Sequence, residues 1–227
     1  MKKHKPYKKK RKRSPHPSPQ WLTAVVANEK GDIFDLEGFA AVGADGPEHT
    51  AMAIGDTIDM PHGSELMFLP DRMPVLMDLE TGQVKPLDRN PYSPRERIFP
   101  VAAFNSPGVV LTHTCAYEER DGAEILPLFS YGAVGWHGNG FRSAALVVDT
   151  EPRQDLRRMP RDRIVAGVDH MRSQLPDNRL ARHLELCALT YGCPAGKNFF
   201  LGRYEAPLPT SRACNARCLG CISLQRD

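Results

Sequence analysis

From Trp21 to about Asp149, apolar and polar positions alternate over short runs that turn signals interrupt at close spacing. Alternation with a period of two puts one face of a strand in a core and the other in water, so this region predicts a mainly antiparallel β domain, a small sandwich or barrel. Trp21–Ala27 and Ile33–Val42 flank Asn28-Glu29-Lys30-Gly31-Asp32, and Val75–Leu79 and Val84–Leu87 flank Glu80-Thr81-Gly82-Gln83. Both loops hold glycine where positive φ is usually wanted. Val109–Tyr117 and Ala123–Ser130 likewise surround Glu118-Glu119-Arg120-Asp121-Gly122, and Ser143–Val148 reads as a closing apolar strand. A proline-containing excursion is expected around residues 86 to 100.

After Thr150 the period changes. Ile164, Val168 and Met171 recur at helical intervals and predict a helix over about 160 to 174. A second helix follows Pro176-Asp177-Asn178, with Leu180, Leu184, Cys187 and Tyr191 on one apolar face and Gly192-Cys193-Pro194 as its stop. Residues 199 to 209 (FFLGRYEAPLP) then read as a strand running into Thr210-Ser211-Arg212-Ala213. The fold class expected is therefore α+β: a mainly antiparallel β domain, two helices and a final strand with a cysteine loop. The segments expected are an arm at 1–20, the β-rich domain at 21–150, a helical segment at 151–196 and a last unit at 197–227.

Composition narrows the class. With 227 residues, 41% hydrophobic and 25% charged, the chain has enough apolar material for one or two modest domains. No apolar run approaches the length of a membrane span, and the basic N-terminus lacks the apolar stretch of a secretory signal, which predicts a cytoplasmic protein with no membrane partner. Residues 2 to 13 carry nine Lys/Arg and no acid, leaving 21 bases against 27 acids elsewhere, so a basic arm is joined to an acidic body. Such an arm neutralises phosphates of nucleic acid or of an acidic membrane surface, or it stays solvated and serves solubility alone.

Six cysteines sit at 115, 187, 193, 214, 218 and 221. Three crowded into eight residues do not resemble a disulfide framework; in a reducing compartment they read as a metal or cluster site. Cys214-Asn215-Ala216-Arg217-Cys218-Leu219-Gly220-Cys221 delivers three thiols from one loop, small residues at 216 and 220 let it curl, and Asn215 can satisfy backbone groups. Three thiolates leave one iron of a [4Fe–4S] cluster open, and an open position marks a site that binds substrate or cofactor.

This C-x3-C-x2-C pattern resembles the signature of the radical S-adenosylmethionine (radical SAM) family. The resemblance covers roughly residues 199 to 227. It implies that Cys214, Cys218 and Cys221 each ligate one iron, that the fourth iron binds S-adenosyl-L-methionine, and that reductive cleavage yields methionine and a 5′-deoxyadenosyl radical. It also implies an electron donor such as a flavodoxin or ferredoxin. Gly220 stands where the family commonly has an aromatic residue. The family's partial (β/α) barrel would lie beyond Asp227, so this chain is expected to be the N-terminal part of a longer enzyme, inactive alone.

Other readings stay open at this level. A structural zinc site is available if Cys193 joins the three clustered cysteines, as part of a noncatalytic nucleic-acid-binding module with the basic arm. A redox sensor or cluster carrier is a third. Cys187 and Cys115 read as core thiols, with His113 beside the latter, and Cys193 as a possible ligand of a second cluster. Trp136-His137-Gly138-Asn139-Gly140 lacks the context of a dinucleotide site and reads as a tight β connection. Arg217 lies between two ligands, and Arg203 and Glu205 lie on the expected strand before them.

Overall fold

The structure, a computed structural model, describes residues 20–126 and 131–203. The basic arm and the cysteine loop lie outside them.

Seven strands carry the β domain: β1 (Thr23–Ala27), β2 (Ile33–Asp45), β3 (Arg72–Asp78), β4 (Phe99–Phe104), β5 (Thr114–Cys115), β6 (Gly132–His137) and β7 (Gly140–Ser143). Pairing closes β1–β2–β5–β6–β4 into a five-stranded antiparallel barrel, to which β3 adds through β2 and β7 through β6. β1 is the axis of the arrangement. Val26 and Ala27 pair with β4, Thr23 and Ala24 with β6, and the whole strand with β2. Its alternation is hidden because both faces are buried: Ala24 and Val26 join Leu36, Phe39, Leu76 and Ile98, while Val25 and Ala27 join Val101, Ala103 and Val134. A strand buried on both sides reads as a continuous apolar run, as Ala24-Val25-Val26-Ala27 does.

β2 is kinked. Its register with β1 jumps between Thr23↔Ala40 and Ala24↔Leu36, and Gly38 sits inside the jump at φ +82°. A β-carbon there would lie 2.8 Å from the Tyr92 hydroxyl, so glycine serves both the bulge and a close approach.

The first two expected hairpins are present, with Gly31 and Gly82 at positive φ. The third is not. Gly122 turns the chain, but Ala123–Leu126 form no strand; Tyr117–Glu119 instead pairs with β3, and Val109–Leu111 with Ala145–Val147. The expected strand Ser143–Val148 is likewise split between β7 and this outer ribbon, where Leu146, Val147 and Val148 are exposed. A buried arginine explains why the chain turns at 120: Arg72 is 1% exposed and donates to Pro70 O, Glu124 O and Glu119 Oε1, while Arg120 bonds Asp88, Arg72 O and Ile98 O. These bonds hold residues 119–124 across the barrel end.

Among the described residues three α-helices follow rather than two: α1 (Arg161–Gln174), α2 (Arg179–Leu189) and α3 (Pro194–Phe200). Asn178 caps α2 by accepting from the Ala181 N–H at 3.1 Å, as its position predicts. Leu184 and Cys187 are buried, but Tyr191 lies beyond the helix and is 63% exposed. Gly192, at φ +73°, does stop α2, and Cys193-Pro194 then starts α3, with proline at the first helical position. Phe199 and Phe200 therefore end a helix instead of opening a strand. The β preference of the aromatic pair is overridden by packing: Phe200 is buried with Met159, Ile164, Val168, Leu184 and Ala188. Gly167 of α1 makes this possible, since a β-carbon there would be 2.0 Å from the Phe200 carbonyl oxygen.

No helix among the described residues is long and apolar enough to cross a membrane.

Candidate functional site

Cys214, Cys218 and Cys221, with Glu205 and Arg217, lie outside the described residues. The structure does show how the chain approaches them. The end of α3 is tied down by Leu201 N–H to Lys197 O, Gly202 N–H to Phe199 O and Arg203 N–H to Asn198 O, with Gly202 at φ +62°. Arg203 also donates through Nη2 to Arg158 O, and buried Asn198 donates through Nδ2 to Arg153 O at 3.0 Å. Arg203 is thus fixed to the turn segment that precedes α1, not to a strand.

That turn segment is organised by Asp149. Its carboxylate accepts from Gln154 Nε2 at 2.9 Å, from the Glu151 N–H at 2.9 Å and from Arg153 Nη2 at 3.0 Å. These donors hold its pKa down at about 2, the Gln154 bond contributing most. Asp155 does the same for the next turn, its pKa lowered chiefly by the Arg157 side chain. The path from the β domain to Arg203 therefore runs through short, charge-assisted turns.

The remaining cysteines divide as their neighbours dictate. Cys115 is buried in β5 beside Leu69, Ala102 and Tyr131, its Sγ donates to Val101 O at 3.5 Å, and burial pushes its pKa up to about 12. Cys187 is buried on α2, with Sγ 3.5 Å from His183 Nε2. Both match the core reading. Cys193 is half-buried at the start of α3, its N–H donating to Cys187 O. Among the described residues no group of three His, Cys, Asp or Glu is placed to hold a metal ion.

His113 Nδ1 lies 3.2 Å from Thr112 Oγ1, and its backbone oxygen accepts from the Ala133 N–H. His137 pairs with Gly140 across the two-residue turn Gly138-Asn139, with Gly138 at φ +60°, and Trp136 meets Phe141 edge-on at 4.8 Å. The Trp-His-Gly-Asn-Gly stretch is the tight β connection its glycines suggest.

Sequence reasoning missed an open groove of about 310 Å³ lined by Phe34, Asp35, Leu36, Glu37, Asn90 and Tyr92. No local pattern announces it, because it forms between β2 and a small hairpin, Arg89–Asn90 with Ser93–Arg97, that is distant in sequence. No protein-family model, curated protein or solved structure matches the chain.

Proposed function

We propose that the chain carries a [4Fe–4S] cluster on Cys214, Cys218 and Cys221 and serves as the cluster-bearing part of a radical SAM enzyme. The observation that carries this reading is the spacing C-x3-C-x2-C within one eight-residue stretch. The donor set fits the group, since three closely spaced thiolates suit a cluster and leave one iron for an outside ligand. Support comes from the other thiols: Cys115 and Cys187 are committed to the core, so they do not compete for the metal. When bound, the cluster supplies the electron that cleaves S-adenosyl-L-methionine to methionine and a 5′-deoxyadenosyl radical.

The chain's own contribution is position. Helix α3 and the bonds of Asn198 and Arg203 hold the start of the segment that leads to Cys214, and the three thiols enter as thiolates. Anaerobic reconstitution with iron and sulfide tests the reading. It is expected to load about four irons and four sulfides per chain, with a reduced-state EPR signal that changes on adding S-adenosyl-L-methionine. Alanine at all three positions abolishes the uptake. One zinc without sulfide, or a cluster whose signal ignores the sulfonium, refutes it.

A further inference from the structure

The outer strands of the β domain differ in how they guard their open edges. Glu48–Ala51, Glu65–Phe68, Val84–Pro86 and Tyr117–Glu119 each pair with one neighbour, and each holds a glutamate or a lysine. Charge and proline at such an edge keep foreign strands from adding to it. The outer ribbon of Val109–Leu111 and Ala145–Val147 has neither. Residues 106–112 and 144–148 contain no charged side chain, and among the described residues no third strand joins the ribbon. Val110 lies opposite Leu146 and shares a face with it and with Val148; these three are more than half exposed, as is Val147 on the other face. An uncharged, exposed apolar edge of this kind calls for a cover.

We propose that the cover is the segment after α3, residues 204–209 (YEAPLP), added as a third strand beside Ala145–Val147. Area argues against a free partner: the four side chains present roughly 300 Å² of apolar surface, under half of the ~800 Å² that each partner buries in a stable complex. A patch that small suits a tethered occupant, for which a short connection supplies an effective concentration on the order of millimolar. The chain leaves α3 close by. The Val148 and Asp149 N–H groups both donate to Gly108 O, the Asp149 carboxylate accepts from Arg153, Asn198 donates to Arg153 O, and the Arg203 N–H donates to Asn198 O. This path puts Arg203 on the order of 20 Å from Val148, which residues 204–209 span when extended at about 3.4 Å each. The pattern of the segment fits as well. In an extended strand Tyr204, Ala206 and Leu208 share one face and turn their N–H and C=O groups to one side, while Pro207 and Pro209 fall on the other side, where no donor is needed. Such a strand pairs once and ends the sheet with an edge that proline closes. Docking there brings residues 210–214 beside the ribbon, whether or not the cysteines hold a metal.

Hydrogen–deuterium exchange of the full chain, resolved to single residues by mass spectrometry and corrected for intrinsic rates, tests this. In the wild type the Ala206 and Leu208 amides are expected to exchange about tenfold or more slowly than the outward-facing Glu205 amide, at every protein concentration. Leu146→Asp and, separately, Val148→Lys place a charge on the ribbon and bring Ala206 and Leu208 to the Glu205 rate. Leu79→Asp, at an exposed position on the β3 hairpin, leaves them slow. Unchanged slow exchange at Val26 shows that each variant keeps the barrel. Equal, fast exchange at 205, 206 and 208 in the wild type overturns the proposal. So does protection that fades on dilution, which marks a second copy, or protection that survives both ribbon charges.

Discussion

Replacing Gly167 by alanine sets two physical rules against each other. In the middle of an exposed helix the change stabilises by about 1 kcal/mol, because alanine loses less backbone entropy. Here the new methyl would stand 2.0 Å from Phe200 O, 2.8 Å from its carbonyl carbon and 3.1 Å from its Cβ. Relief requires α1 and α3 to part by more than 1 Å (about 3.2–3.5 Å is an ordinary contact), and two backbones cannot yield as a flexible side chain does. Overpacking of this kind costs roughly 1–3 kcal/mol, and expelling the buried Phe200 ring costs more, about 3–5 kcal/mol. The net expectation is a loss of roughly 2 kcal/mol, seen as a fall of about 4–8 °C in thermal midpoint for a chain of this size. The assay is a circular dichroism melt at 222 nm beside Gly55→Ala, whose added methyl meets nothing within 4 Å. A Gly167→Ala variant as stable as wild type, or more so, refutes the packing argument.

Three further expectations follow from other positions. Cys115, with its pKa pushed up to about 12 and its thiol buried, should resist iodoacetamide at pH 8 in the native chain and react once urea unfolds it; rapid native labelling at Cys115 by mass mapping contradicts this. Asp149, held down at about 2 against an unfolded value near 3.9, contributes stability that is present above pH ~4 and lost as pH falls through ~2. Asp149→Asn should therefore be less stable than wild type at pH 7, with the gap closing in acid; a gap that is constant with pH by urea titration rejects the linkage. Asn178→Ala removes the α2 cap and should cost about 1 kcal/mol by chemical denaturation, a value Asn178→Asp should largely restore.

How much of this was legible depended on where the determining contacts lie. The hairpin at Asn28–Asp32 could be read because its signals are local: Asn28 accepts from Lys30 and Asp32 N–H groups, and Gly31 takes positive φ. The same holds for the Asn178 cap. The missing hairpin after Gly122 was not legible, because its fate is settled by Arg72, about fifty residues away, which claims Glu119 and Glu124 O. Phe199-Phe200 misled for a related reason: their partners Ile164, Val168 and Leu184 lie on other helices, and only Gly167 lets them close in. For the candidate site, the three clustered cysteines were visible from spacing alone. The core roles of Cys115 and Cys187 were visible too, from the apolar runs that hold them. The groove at Tyr92 was invisible because it joins segments some fifty residues apart.

The position of β1 at the centre of the barrel also orders events during synthesis. Its partners β4 and β6 end at Phe104 and His137, so a nascent chain that has displayed only its first hairpin holds an apolar ribbon with no cover. The barrel cannot shut until His137 has emerged, which leaves Ala24-Val25-Val26-Ala27 open to chaperones and to self-association in the meantime. The lysine-rich leader directly upstream gives that interval a like-charge barrier against aggregation.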